Sequence, residues 1–342
     1  MFEEYGHIVA IDYAESNVAI ARLTKHGKEP KVREGKYRVA DLRLYLEQLT
    51  GTILLVIEET TTSQYLYCEL LASVERILIC DPYQNKLLST GAKTDKADAR
   101  KLALLARAGL LKEVFHTTDA IINLRKLESA YQDVVVAGVR LQNQKSALYR
   151  QVGRSYREDG KLTEPNAAFI VQQLNQGIAD YEARKAEYEA EFGRRRRQDK
   201  RLQRLVEVPG IAVIGAVKIL ARVIDARRFA GSSKYLAYCG LVWEELISGG
   251  RSYGRRRPRY CRTLKSVYKT AAMAAIGGKN DLNDYYEYLR ECGVAEHNAR
   301  HAVARQVAIA TYGMLKTGTR YRPYLWREHL EKHRTASAAA ER

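Results

Sequence analysis

The chain has 342 residues, 46% of them apolar, which is long enough for two or three domains and rich enough to bury a sizeable core. Lys and Arg number 57 against 40 Asp and Glu, and the formal net charge of +17 favours a polyanionic partner, nucleic acid before a membrane surface. No run approaches the roughly 18 apolar residues of a membrane span, residues 1–6 (MFEEYG) do not read as a signal peptide, and the five scattered Cys show neither CxxC nor zinc spacing. A membrane protein, a disulfide-built secreted domain and a zinc finger are therefore excluded as main readings, and a cytoplasmic location is expected.

In chain order, residues 7–13 (HIVAIDY) form an apolar run, residues 17–23 (NVAIARL) follow after a tight connection, and residues 31–39 alternate weakly. Three successive strands in an antiparallel meander are expected. Residues 40–49 have helical spacing, 53–57 (ILLVI) read as a buried strand, and 62–74 read as a helix. Residues 76–80 (RILIC) form a further strand closed by Asp81-Pro82, and 96–108 (KADARKLALLARA) form a strongly amphipathic helix. This order, β-β-β-α-β-α-β-α over residues 1–115, is that of a ribonuclease H-like α/β fold with helices on the faces of its sheet.

From Asn123 the period changes. Leu124, Leu127, Tyr131, Val134, Gly138, Leu141, Lys145, Leu148 and Val152 fall on alternating three- and four-residue steps, and a second such series runs from Val171 to Phe192. Two heptad helices joined by a short polar loop predict an antiparallel coiled-coil hairpin within residues 116–204. Gly138 and Lys145 are weak points of its seam.

Residues 205–325 read as helical and basic. The stretch 205–216 (LVEVPGIAVIGA) has the pattern of a helix-hairpin-helix. Pro209 and Gly210 make its turn, and the following helix offers free backbone N–H groups to a phosphate. Ala212 stands where a second hairpin glycine is expected. Residues 296–316 form another long helix, and the Ala/Ser-rich end of the 326–342 tail is expected to be disordered.

Charge divides the chain. Residues 1–115 hold 16 acidic and 16 basic side chains, so the remaining 227 carry the whole excess. Within them, 246–280 has nine Lys and Arg and no carboxylate, and Arg194, Arg195, Arg196 and Arg197 form a second knot with Lys200, Arg201 and Arg204. Charge runs are usually solvated faces, but a stretch of this length with one sign points to nucleic-acid contact.

Four carboxylates carry the sharpest chemical signal. Asp12 closes the first strand, Glu58 ends the strand 53–57, and Asp95 and Asp98 lie three apart at the start of the last helix, on one of its faces. In a ribonuclease H-like sheet the first and fourth strands are neighbours and the last helix packs beside their ends, so the four would converge. Such a cluster repels itself unless divalent cations neutralise it, and hard oxygen ligands suit a two-ion Mg²⁺ site working on one phosphate. Glu59 competes with Glu58, although strand alternation points the two opposite ways. Lys93 and Arg100, beside the carboxylates, either position a phosphate or balance local charge.

The runs Ile57-Glu58-Glu59-Thr60, then KTDKADAR over residues 93–100, then Val208-Pro209-Gly210-Ile211 resemble the DEDD transposases of bacterial insertion sequences, the family numbered one-hundred-ten, which includes the Piv DNA invertases. The resemblance covers roughly residues 7–323. It implies a RuvC-like domain (1–115), a coiled coil (116–204) and a C-terminal transposase domain (205–325), in a homo-oligomer, dimer or tetramer, of a nucleoid-associated bacterial or archaeal protein. It further implies an RNA-guided recombinase, in which a structured noncoding bridge RNA pairs with donor and target double-stranded DNA. The family's serine nucleophile follows a Gly-Leu and precedes a glycine and a basic stretch; here Gly240-Leu241 and then Ser248-Gly249-Gly250-Arg251 carry that role onto Ser248. A serine attacking phosphorus would form a covalent 5′-phosphoserine that conserves the bond for rejoining. A composite site would form if Ser248 of one protomer met the carboxylates of another.

On this reading Arg251, Arg255, Arg256, Arg257, Arg259, Arg262 and Lys265 clamp backbone phosphates around Ser248, while Tyr253 and Tyr260 stack on exposed bases. Taken without the resemblance, Ser248 is a polar turn residue beside two glycines, and Ser252, Tyr253 and Tyr260 are rival nucleophiles. Two departures from the family pattern are Thr61-Thr62-Ser63 after the glutamate and the acidic-apolar run 243–247. A RuvC-like branched-DNA nuclease that activates water, and an architectural nucleic-acid binder with a structural acidic cluster, are the alternatives. An actin-like or sugar-kinase ATPase is disfavoured, because no Gly-rich phosphate turn follows Asp12.

Overall fold

A computed structural model of the chain describes residues 4–14, 16–83, 94–155 and 162–328. They divide into two compact units, Met1–Asp119 and Ala120–Arg342.

The first unit is built on one five-stranded sheet. Its strands are β1 (His7–Tyr13), β2 (Val18–Thr24), β3 (Lys31–Gly35), β4 (Ile53–Glu58) and β5 (Arg76–Cys80), in spatial order β3-β2-β1-β4-β5. The β1–β2 and β2–β3 pairs are antiparallel, whereas β1–β4 and β4–β5 are parallel. Helices α1 (Val39–Glu47) and α2 (Ser63–Leu70) make the crossovers, and α3 (Asp95–Arg107) follows β5. This is the order expected from the sequence.

Strand alternation sends side chains to two separate cores. Ile8, Ala10, Leu54, Val56 and Leu78 face Ala99, Leu102, Ala103 and Ala106 of α3. Val9, Ile11, Leu55, Ile57 and Ile79 face Leu42 and Leu46 of α1 and Leu66 and Leu70 of α2. Burial on both faces explains why β1 and β4 read as continuous apolar runs. Where a weak strand was expected to reach residue 39, β3 stops at Gly35, because Arg38 begins α1: its backbone N–H donates to the Asp41 carboxylate at 2.8 Å, and Asp41 lies in the first helical turn.

The second unit opens with two long helices, α4 (Ile121–Gln151) and α5 (Pro165–Gln198). They run antiparallel: Leu148 packs near Val171, Leu141 against Gly177, Gly138 against Tyr181, and Tyr131 against Tyr188 and Phe192. Gly138, a weak point in the sequence pattern, is the socket for Tyr181. A Cβ built on Gly138 would lie 2.3 Å from that ring, so only glycine fits.

Next come α6 (Lys200–Leu205), α7 (Val213–Val223), α8 (Ser232–Tyr238), a two-stranded hairpin of β6 (Glu244–Ser248) and β7 (Arg251–Arg256), then α9 (Arg262–Ile276), α10 (Asp281–Glu291) and α11 (Glu296–Thr317). The hairpin stands in a segment whose sequence reads as helical. Its signal is Gly249-Gly250, both at positive φ (54° and 76°), as a two-residue hairpin turn requires. Tyr235, Tyr268 and Thr311 form a buried hydroxyl chain at the centre of the helices. A fully buried Glu128 on α4 is ion-paired with Arg222 on α7, tying the long hairpin to the helices that follow. Arg201 and Arg204 of the basic knot lie on α6.

Candidate functional site

Asp12 lies near the end of β1 and Glu58 at the end of β4, adjacent parallel strands. By alternation each falls on the face of Ala10 and Val56, the face covered by α3. Helix α3 is capped by Thr94, whose hydroxyl accepts the Ala97 N–H at 3.2 Å, and this sets Asp95 and Asp98 in its first turn. Burial comes first, followed by the charges of Asp95, Glu58 and Asp98, in raising the Asp12 carboxyl from 3.8 to about 6. Asp95, Glu58 and Asp98 thus each act on Asp12 at this end of the sheet.

They are not drawn into a closed cage. Among the described residues, no three His, Cys, Asp or Glu side chains stand close enough to hold an ion in their present rotamers. Asp95 is further held by Asn17, whose amide donates to Asp95 at 3.2 Å and to Glu34 at 2.6 Å, a contact between distant positions that no spacing signals. The donor set itself, all carboxylate oxygen with one member raised by burial and then by its acidic neighbours, fits a hard divalent cation such as Mg²⁺.

Glu59 points away, as alternation demands. Its carboxylate meets His116 Nε2 at 3.1 Å and accepts from the Ser63 hydroxyl at 3.2 Å, so Ser63, a departure from the family pattern, has a partner. Of the two cations beside the acids in sequence, Arg100 is ion-paired with Glu29, and Lys93 lies outside the described residues.

Ser248 lies at the end of β6, paired with Arg251 across the Gly249-Gly250 turn and exposed to solvent. The pairing is interrupted by a bulge, one residue of β6 (Leu246) opposing two of β7 (Tyr253 and Gly254) between the Glu245–Arg255 and Ile247–Ser252 pairs. Counting along β6, Ser248, Leu246 and Glu244 share one face with Arg251, Tyr253 and Arg256, while Ile247 and Glu245 share the other with Ser252 and Arg255. The acidic residues of the unusual 243–247 run therefore oppose arginines, and Glu244 reaches Arg256 at 3.6 Å.

The basic stretch is not uniform. Arg256 is engaged by Glu244, Arg257 lies 4.2 Å over the Trp243 ring, and Lys265 lies 4.7 Å over Tyr260. Arg251, Arg255 and Arg262 are exposed, as is Arg259. Tyr260 packs so closely on Gly240 that a Cβ there would lie 2.5 Å from its ring, whereas Tyr253 is 70% exposed. In the other knot, Arg194 and Arg195 both pair with Glu191, and Arg197 is exposed; Arg196 is half-buried. Gly210 has φ +83°, and a Cβ on it would stand 2.0 Å from the Ala271 carbonyl, so close packing on α9 accounts for this glycine.

Comparison with known proteins gives the class. Residues 9–153 match a DEDD-type model described as "Transposase". Residues 202–287 match "Transposase IS116/IS110/IS902 family", so the chain carries transposase domains of the IS110 family. It is similar to the "Probable family 20 transposase" of Pseudomonas aeruginosa, 29% identical over 45% of this chain and 47% of that one. It is also similar to the "Insertion element IS110 uncharacterized 43.6 kDa protein" of Streptomyces coelicolor, 30% identical over 34% of this chain and 29% of that one. The matches span about half or less of the length of these relatives. No helix among the described residues is long and apolar enough to cross a membrane.

Proposed function

We propose that the protein is the recombinase of an insertion sequence, cutting and rejoining DNA through a 5′-phosphoserine on Ser248, with Asp12, Glu58, Asp95 and Asp98 as ligands for Mg²⁺. The observation that carries the carboxylate half is the raised Asp12, set among three other acids where β1, β4 and α3 meet. The sheet order and the α3 packing support a ribonuclease H-like, RuvC-like reading of the first unit. The antiparallel α4–α5 pair supports the coiled-coil reading, and the α6–α7 corner with its Pro209-Gly210 turn supports the helix-hairpin-helix reading.

Mg²⁺, when bound by the four carboxylates, supplies charge neutralisation at the scissile phosphate. The chain's own groups do the rest. The Ser248 oxygen forms a bond to phosphorus as the phosphorus–O3′ bond breaks, and the departing strand leaves as a 3′-hydroxyl. A 3′-hydroxyl of the incoming strand then attacks the phosphoserine, releasing Ser248, so one phosphodiester is exchanged for another with no energy cofactor. Exposed arginines beside Ser248 hold the flanking phosphates.

Guidance by a structured noncoding RNA and work as a homo-oligomer rest on the family resemblance, with the concentrated positive charge of residues 246–280 as their support. The test is recombination of a donor and a target DNA by the purified protein in Mg²⁺, with and without RNA transcribed from the DNA flanking its gene. RNA-dependent joining with a protein-linked intermediate is expected. Cleavage with no rejoining and no linked protein would mean a water-using nuclease instead.

A further inference from the structure

The β6–β7 hairpin is exposed at every position of both strands and so on both faces. A two-stranded ribbon with neither face covered is marginal in water, so it is built to be covered by something else. Its tip is narrow. A Cβ built on Gly249 or Gly250 would meet nothing within 4 Å, and no bulky side chain stands between Ser248 and Arg251.

The two faces carry matching equipment. On the Ser248 face stand Tyr253, 70% exposed, and Arg251; on the opposite face stand Ile247, 65% exposed, and Arg255. The bulge is what produces this division, because unbroken alternation along β7 would have put Arg255 beside Arg251 and Tyr253. Nearest the tip, each face thus offers one large side chain able to lie against a base and one arginine able to meet a phosphate, while Glu244, Glu245 and Arg256 stand at the hairpin's base, where Arg256 is engaged by Glu244. The occupant is set by charge: the tip opens a segment, 246–280, with nine cations and no carboxylate.

We infer that the β6–β7 hairpin is a strand-separating pin, entering DNA tip first so that Tyr253 stacks on an unpaired base of the strand facing Ser248 while Ile247 packs against the bases of the other strand. The identity of the nucleic acid rests on the recombinase reading; the pin itself does not require Ser248 to be the nucleophile. Aromatic stacking on a base is sequence-tolerant, and apolar side chains wedge between base steps at the expense of base stacking. Arg251 and Arg255, one per face, would keep the two backbones apart.

The test uses the full-length protein in EDTA, so that no strand is cut. Fluorescence anisotropy at fixed salt compares a labelled DNA fork, a duplex ending in two unpaired arms, with its fully paired counterpart. The wild type is expected to favour the fork by about tenfold or more. Tyr253→Ala and Ile247→Ser are each expected to remove most of that preference, and Tyr253→Phe to keep it. Both residues are exposed, so circular dichroism should show intact folding for every variant. Equal affinity of the wild type for fork and duplex, or variants that weaken both DNAs in the same proportion, would overturn the pin. So would variants that change the sedimenting species but not the preference, since the hairpin would then dock a second copy of the chain. A failure of the recombinase reading shows itself elsewhere, as the absence of a protein–DNA adduct in Mg²⁺, and leaves this comparison intact.

Discussion

The two regions that carry the candidate chemistry are built in opposite ways. The carboxylates project from the ends of fully buried strands and from the first turn of a helix packed on them, so their backbones are fixed by two apolar cores. Ser248 stands on a ribbon that buries none of its residues. The first unit's sequence is neutral over residues 1–115, and the excess charge lies beyond it. Groups that share a highly charged ion need a rigid frame, because small displacements alter every ligand distance at once. A nucleophile that must find a phosphate and later release it suits an element that orders against its substrate.

Breaking the rigid region should have the largest effect. Asp12→Asn, Glu58→Gln, Asp95→Asn and Asp98→Asn each keep the side-chain shape but remove a ligand charge. Each should cut Mg²⁺-dependent strand cleavage on the order of a thousandfold or more, with thermal unfolding still cooperative. Wild-type cleavage by any one of them removes that residue from the site.

Gly210→Ala tests the packing of the second unit. The added Cβ would collide with the Ala271 carbonyl at a backbone φ of +83°, and a loss on the order of 3 kcal/mol in chemical denaturation of the second unit is expected. An unchanged midpoint would mean that the α6–α7 corner does not press on α9.

Much of the first unit was legible because local pattern and burial agree there: β1 and β4 are apolar runs, α3 is amphipathic, and the parity of Asp12 and Glu58 along their strands already put them on one face. The expectation that Glu59 points the other way followed from the same parity, but nothing in the sequence could pair it with His116, 57 positions away. The Asn17–Asp95 contact was hidden for the same reason. In the second unit the charge run masked a hairpin, since arginines fit helix and strand alike and only Gly249-Gly250 signals the turn. Gly138 reads as a defect in the sequence because a heptad pattern records which positions face inward, not that Tyr181 fills the gap left by a missing side chain.

Salt dependence probes the exposed region. If Arg251 and Arg255 each meet one phosphate, replacing both with Ala should make the log–log salt slope of DNA binding shallower by about 2. Arg256→Ala with Arg257→Ala should change it less, because Glu244 and Trp243 already engage those side chains. The reverse order would mean that the ion pair and ring contact give way to DNA.

The smallest effect is a pH dependence in the absence of metal. Asp12 binds its proton more tightly in the folded state, at about 6 against 3.8. Its contribution to stability is therefore full below about pH 4 and is lost as pH rises through 6. Asp12→Asn, which has no such proton to lose, should be more stable than the wild type in EDTA above that range. The advantage should vanish in acid, as a melting series across pH would record.

A bond between Ser248 and DNA is tested most directly by identifying the linkage itself. The protein is incubated with its DNA and RNA in Mg²⁺, denatured and digested, and the peptide bearing a nucleotide is sequenced by mass spectrometry. A 5′-phosphoserine at Ser248, absent from Ser248→Ala, is the expected result. Linkage to Ser252, Tyr253 or Tyr260, or cleaved DNA with no linked peptide at all, would contradict it.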